Sequence, residues 1–287
     1  DEIMSYRAAV VGLVLGLTFV LGWFVASGMP IHGAIAYLVM AYGIFFAITR
    51  IVAQGGVGFT AAQMIPQPAV VYTFGSEFLG PAGLTSLAFT YSWAAELRTS
   101  VMASAINGLK LADSVRVRSR RLIFAMVLAV IAGMVAATWI TITLNYKYGG
   151  ANLRMFGVPR IAYWFLEHKL KNPVRWEIVR ERLAFTAIGA AVMSLLVFLV
   201  HRLPWWPVHY VGFAIGDAWV MGWAWWGVFL GWLIKSLILK LGGQNAYVRY
   251  RPLFLGMILG QLMCGAFWIF VDLITGETKN YIYIGVP

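Results

Sequence analysis

The sequence predicts an all-α membrane protein: a polytopic bundle of transmembrane helices with about six full spans and two broken or re-entrant segments. Three observations point there. Of 287 residues, 61% are hydrophobic and only 11% charged, with a mean hydropathy of +0.78. Soluble domains carry about 25% charged residues, so an aqueous fold of this length could not hide so much apolar surface. The apolar residues also fall in runs of about 20, the length that crosses the hydrocarbon core as a helix. Finally, the basic residues that give the net charge of +11 sit in the gaps between those runs. Lys and Arg there hold loops on the cytoplasmic side and face anionic lipid. That placement argues for a bilayer rather than nucleic acid as the partner.

The first span is 8–26, free of charge, and a Gly28-Met29-Pro30 turn leads to the second, 31–49, stopped by Arg50. So short a connection makes residues 1–50 an antiparallel helical hairpin. From 51 to 97 the pattern breaks at Gly55, Gly56, Gly58, Pro66, Pro68, Gly75, Gly80, Pro81 and Gly83. Backbone that is not continuous helix is tolerated at membrane depth only inside protein or along a wet cavity. This stretch is expected to be a discontinuous helix or re-entrant hairpin, or else a loop packed at the interface. A short amphipathic helix at 100–112 ends in a basic knot, Arg116, Arg118, Arg120 and Arg121, so the second part of the chain is 51–121.

Residues 122–287 are expected to hold four spans and a polar loop, all within a single transmembrane domain, 1–287. The clearest span is 122–146; a mixed-charge loop, 147–182, follows, with a surface helix near 163–170. Residues 183–200 form the next span. After Pro204-Trp205-Trp206-Pro207 comes 208–216, too short to cross, then spans at 219–239 and 253–274 around a basic Gly242-Gly243 loop. Placing the long loop and the Gly-Gly loop on the cytoplasmic side leaves the Arg116 knot opposite, against the positive-inside tendency.

Ionisable residues within spans are costly and therefore candidates for function. Here they are few: Glu77, Glu96 and Arg98 lie in or beside the broken stretch, and Asp217 and Asp272 at span ends. Interfacial solvation accounts for the last two. For the others both interfacial solvation and an ion or solute path near the broken helices, where half-helix ends face bound charge, stay open. Trp is concentrated, with seven of thirteen between 205 and 232. Trp205, Trp206, Trp219, Trp223 and Trp226 suit an interfacial belt. Gly12 with Gly16, Gly227 with Gly231, and Gly256 with Gly260 have the spacing that lets helix backbones approach closely.

Other chemistry is absent from the pattern. Cys264 is the single cysteine, which excludes an intrachain disulfide or a multi-thiolate metal site. His32, His168, His201 and His209 lie at run ends or in polar loops, unlike ligands of a buried haem. No phosphate-binding loop, zinc-protease motif or nucleophile elbow occurs. We therefore expect no enzyme, no cofactor and no metal. The opening Asp1-Glu2-Ile3-Met4 resembles neither an initiator methionine nor a signal peptide, so a processed chain or the later part of something longer is expected.

Thr49-Arg50-Ile51-Val52-Ala53-Gln54-Gly55-Gly56 resembles the Ala-Arg-x-x-Ala-Glu-x-Gly signature of bacterial proteins related to the oligopeptide transporter family. The stretch from Gly108 to Asp113 is similar to a downstream segment of the same proteins. So is the string Trp232-Leu233-Ile234-Lys235, Leu237, Leu239, Gly242-Gly243, Tyr247, Arg249, Arg251-Pro252, Gly256 and Gly260. The resemblance covers most of this chain but only the later half of a typical member. It implies the later half of a secondary transporter for a small peptide-like or metal-chelate solute, in a cell (inner) membrane. Arg50, Gln54, Glu77, Glu96, Arg98 and Gln261 would line its path. Gln54 stands where the pattern has Glu, and Gln261 where an acid commonly follows, so two proton-carrying groups are missing. The alternative is a non-transporting accessory or scaffold subunit of a respiratory or photosynthetic membrane complex. Expected partners are the lipid bilayer and other membrane subunits or a preceding half.

Overall fold

A computed structural model describes residues 5–55, 60–95, 100–114, 120–150, 152 and 157–276. All regular structure among them is α-helical: α1 (Tyr6–Ala26), α2 (Ile31–Gly55), α3 (Pro66–Phe74), α4 (Gly80–Phe89), α5 (Tyr91–Ala94), α6 (Val101–Ser114), α7 (Arg120–Tyr148), α8 (Gly157–Lys171), α9 (Trp176–Arg202), α10 (Tyr210–Ile215) and α11 (Trp219–Thr275). Among the described residues five helices, α1, α2, α7, α9 and α11, are long and apolar enough to cross a membrane. Two expected spans share α11, which breaks at Gly243. Contacts divide the chain into two compact units, 1–216 and 217–287.

In the first unit, Ser5 caps α1 by accepting from the Ala8 N–H at 3.4 Å. The α1–α2 turn needs Gly28 at φ 91, a conformation that a side chain disfavours. Ser27 and Ser86 share a 2.7 Å hydroxyl contact that ties this turn to α4. The approach is close: a Cβ on Gly33 would stand 2.5 Å from Leu79 Cδ2, and one on Gly83 3.0 Å from Pro30 Cδ.

The stretch expected to be broken, 51–97, forms the short helices α3, α4 and α5. Pro66 and Pro68 open α3, where a missing N–H costs nothing. Gly75 at φ 85 and Gly80 at φ 65 bracket the link to α4, and Thr90 separates α4 from α5. These pieces form much of the core of the first unit. Phe24, Tyr37, Val70, Val71, Leu87 and Val179 have no exposed surface at all, and Leu79, Tyr91, Phe165 and Val174 very little. Ring contacts run Phe24–Tyr37–Trp93 at 5.1 and 5.9 Å, and Tyr91–Phe165 at 5.2 Å.

The expected polar loop at 147–182 needs correction. α7 continues to Tyr148, α8 fills 157–171 and α9 already begins at Trp176. Charged positions did not prevent helix, because α8 turns one face inwards: Phe165 and Lys169 are buried, and Ala162 and Leu166 pack on the core. Ile161, Tyr163, Trp164 and Leu170 face out. The segment after α8 is pinned to the α3–α4 link by Ser76 N–H donating to the Val174 carbonyl at 3.2 Å, and Val174 N–H to Ser76 Oγ at 3.0 Å.

Among its described residues the second unit has one helix, α11. Residues 231 and 255 would lie about 36 Å apart on a straight helix, yet both line one cleft of about 290 Å³. The halves on either side of Gly243 (φ 65) therefore fold back on each other as a helical hairpin.

Candidate functional site

Two segments expected to line a path meet at the C-terminal end of α2. Tyr210, the first residue of α10, donates its hydroxyl to Gln54 Oε1 at 2.8 Å. Gln63, just before α3, donates to the Phe213 carbonyl at 3.3 Å. Lys110 of α6 donates to the Ala53 carbonyl at 2.9 Å. A helix end leaves its last carbonyls without internal partners and carries partial negative charge, so an ammonium satisfies both needs there. α6 reaches this position by packing Ala103 against Ile48 and Val52 of α2.

Imidazoles complete the group. His209 caps α10, its Nδ1 accepting from Val211 N–H at 3.2 Å, and its ring tilts against Tyr210 at 4.3 Å. The His201 ring lies parallel to Tyr210 at 6.4 Å, and its Nδ1 sits 2.7 Å from the Val197 carbonyl. Amide, phenol, ammonium and imidazole groups thus converge on an exposed surface that can both donate to and accept from a polar solute. Among the described residues no group of three or more His, Cys, Asp or Glu is placed to hold a metal ion.

The other residues singled out from the sequence are dispersed. Arg50 is exposed on α2, one turn before Gln54 and on the same face. Glu77 is exposed in the α3–α4 link, and no bond joins it to the Gln54 group. Gln261 is exposed in the second unit. Glu96 and Arg98, like Arg116 and Arg118 of the basic knot, lie outside the described residues. A Cβ added to Gly12, Gly16, Gly227, Gly231, Gly256 or Gly260 would meet nothing within 4 Å, so these small-residue faces are open. Trp205, Trp219, Trp223 and Trp226 are 71%, 47%, 67% and 53% exposed, and Trp206 is half-buried. On α11 the rings of Trp225, Trp226, Phe229 and Trp232 follow one another at 5.5 to 5.9 Å.

Sequence reasoning missed Tyr210, Gln63 and Lys110 as members of the site. Lys110 lay within the family-like Gly108–Asp113 stretch, and Tyr210 within the short piece 208–216. Those were the available signals. Also missed was a buried cation. Lys169, 6% exposed, donates to Tyr72 Oη at 2.8 Å, with Arg182 over the same ring at 3.9 Å. The ring face offers negative charge to both, which fastens α8 and α9 to α3.

The chain belongs to a family of unknown function (DUF6785), whose sequence profile matches residues 1–284. No curated protein and no solved structure matches it.

Proposed function

We propose that this family member is half of a helical transport bundle in a cell (inner) membrane, moving a small polar solute past the Gln54–Tyr210 group. The observation that carries the proposal is the 2.8 Å bond between Gln54 and Tyr210, which joins the end of the α2 span to the short 208–216 segment at one polar surface. Interrupted helices place backbone and side-chain dipoles where a solute passes, which continuous spans cannot. Six membrane crossings, counting the two halves of α11 separately, belong to this proposal, with the 157–182 region and Gly242-Gly243 on the cytoplasmic side. The resemblance to oligopeptide transporter relatives supports a peptide-like or chelate solute. Gln in place of acid at positions 54 and 261 supports flux without proton coupling.

The test is uptake into proteoliposomes reconstituted from the native assembly, this chain with the membrane subunits that co-purify with it in mild detergent, using a labelled dipeptide and a labelled metal chelate. Expected is uptake above empty liposomes that falls on the order of tenfold in Gln54→Ala, since lost orientation in a path costs about that much, and that ignores an imposed pH gradient. Uptake that rises with an inward proton gradient would overturn the uncoupled mechanism. No uptake of either solute would overturn transport.

A second function, a scaffold subunit of a membrane complex, is favoured by α7. Most of its apolar residues are exposed, and none of those described between 122 and 148 is buried. Helices of a partner would cover it. Stoichiometric co-purification of other membrane subunits in mild detergent is the expected result, and a solitary chain from native membranes would sink this function.

A further inference from the structure

The second unit contains a charge imbalance that the transport reading does not use. Between residues 218 and 271 there is no Asp or Glu, while Lys235, Lys240, Arg249 and Arg251 are all present. Two of these cations line the cleft between the two halves of α11. Lys235 and Arg251 each stand eight residues from Gly243, one on either side. At 1.5 Å per residue they lie level with one another, about 12 Å along the hairpin from its turn. Placed in a bilayer, cations this near the turn extend to the headgroup level, where Lys and Arg attract anionic lipid. Among the described residues no carboxylate pairs with either of them.

The rest of the lining is ordered along the same axis. Tyr247 and Tyr250, nearer the turn than Phe254 and Leu255, bring two phenols beside the cations, and the Lys235 ammonium lies 5.7 Å from the Tyr247 ring centroid. Farther from the turn the walls are Phe254, Leu255 and the bare backbone of Gly231, where nothing stands within 4 Å of an added Cβ. Polar donors and positive charge thus occupy the turn end, with Ile238 among them, and the far end is apolar throughout, in a volume of about 290 Å³. A free inorganic anion would use only the first half. An amphiphile with a phosphodiester head and a hydrocarbon tail uses both, with its head at interface depth.

We propose that the α11 cleft binds one anionic phospholipid, its phosphate between Lys235 and Arg251 and its first acyl methylenes over Gly231, Phe254 and Leu255. The site depends on the membrane location alone and stands whether or not the chain transports a solute. Lys235 and Arg251 supply charge-assisted hydrogen bonds to the phosphate. The lipid supplies the counter-charge that the stretch between residues 218 and 271 lacks.

Native mass spectrometry of the full chain, equilibrated with an equimolar mixture of phosphatidylglycerol and phosphatidylcholine in detergent, tests this. Expected is one retained phosphatidylglycerol per chain, on the order of tenfold over phosphatidylcholine. The double variant Lys235→Gln/Arg251→Gln loses that preference, whereas Lys240→Gln/Arg249→Gln, with equal charge removed outside the cleft, keeps it. Lys235→Arg, which keeps the charge, also keeps it. Millimolar inorganic phosphate leaves the bound lipid in place. Equal retention of the two lipids, equal loss in both double variants, or displacement by inorganic phosphate would each overturn the proposal.

Discussion

Residues 66–94 and helix α7 have similar apolarity and opposite fates. The first stretch, cut by Pro and Gly into α3, α4 and α5, supplies core: Val70, Val71 and Leu87 are fully buried, while Phe89 and Trp93 keep one face exposed. The second, 29 residues of unbroken helix, leaves Phe124, Met134 and Trp139 at 71%, 67% and 73% exposure. Hydrophobicity therefore does not say which surface an apolar run meets. Short, interrupted pieces can turn several faces towards neighbours and fill a core. A long straight helix offers one stripe at a time, and here the surroundings of α7 are lipid or another protein.

The largest expected effect comes from emptying the core. Tyr37→Ala in α2 removes a fully buried ring in contact with Phe24 and Trp93, and should cost about 3–5 kcal/mol in denaturant titrations of the detergent-solubilised chain. Trp139→Ala on α7 should change the same titration by less than about 0.5 kcal/mol. Comparable losses in both variants would erase the contrast. If a partner covers α7, Trp139→Ala should instead lower the yield of co-purified subunits while leaving the isolated chain unchanged.

Overpacking gives the next effect. Gly33→Leu drives a side chain into Leu79, which is itself 2% exposed and has nowhere to go, for a loss of about 1–3 kcal/mol. Gly133→Leu on α7 has open space within 4 Å and should be tolerated. Equal unfolding midpoints for the two variants would contradict the packing described here.

A smaller effect is expected from the buried polar pair. Gln67, with no exposed surface, donates to Thr90 Oγ1 at 2.8 Å. Thr90→Val leaves that amide unpaired at a cost of about 1 to 2 kcal/mol. Thr138→Val, whose hydroxyl back-bonds to the Met134 carbonyl on exposed α7, should be silent in the same assay. The least effect belongs to the surface of α8. There the hydrogen bond and charge of Lys171 hold the Glu167 carboxyl below its usual range. A lowered folded-state pKa stabilises above the unfolded carboxylate range, and that contribution fades as pH falls through the lowered value. On so exposed a pair, Lys171→Gln should leave the acid limb of unfolding unchanged within error.

Of the residues singled out from the sequence, Gln54 joins the group at the end of α2, with Arg50 one turn before it. Gln54 stood out because it replaces an acid at the end of a span, and the 208–216 piece because it was too short to cross. That a phenol from the latter meets the amide of the former is a contact across 156 residues. No local pattern encodes it. The 147–182 segment misled for a related reason. Its charges read as a polar loop with a surface helix near 163–170, yet Lys169 on that helix is accommodated inside by the Tyr72 ring, whose position depends on α3. Glu77 and Gln261 looked equivalent to Gln54 as polar interruptions of apolar sequence. They stand apart because nothing in a one-dimensional pattern measures convergence.

What the sequence determined alone is the medium and the element type. Run length, sparse charge and the positions of Gly and Pro are local quantities, and lipid forces each continuous apolar run to satisfy its own backbone as helix. What only the tertiary structure decided is which apolar pieces became core and which polar groups became neighbours. Both depend on close approach between distant segments, as at Gly33 with Leu79 and Gly83 with Pro30. Shape complementarity of that kind is a property of pairs of surfaces, and no single stretch of chain carries it.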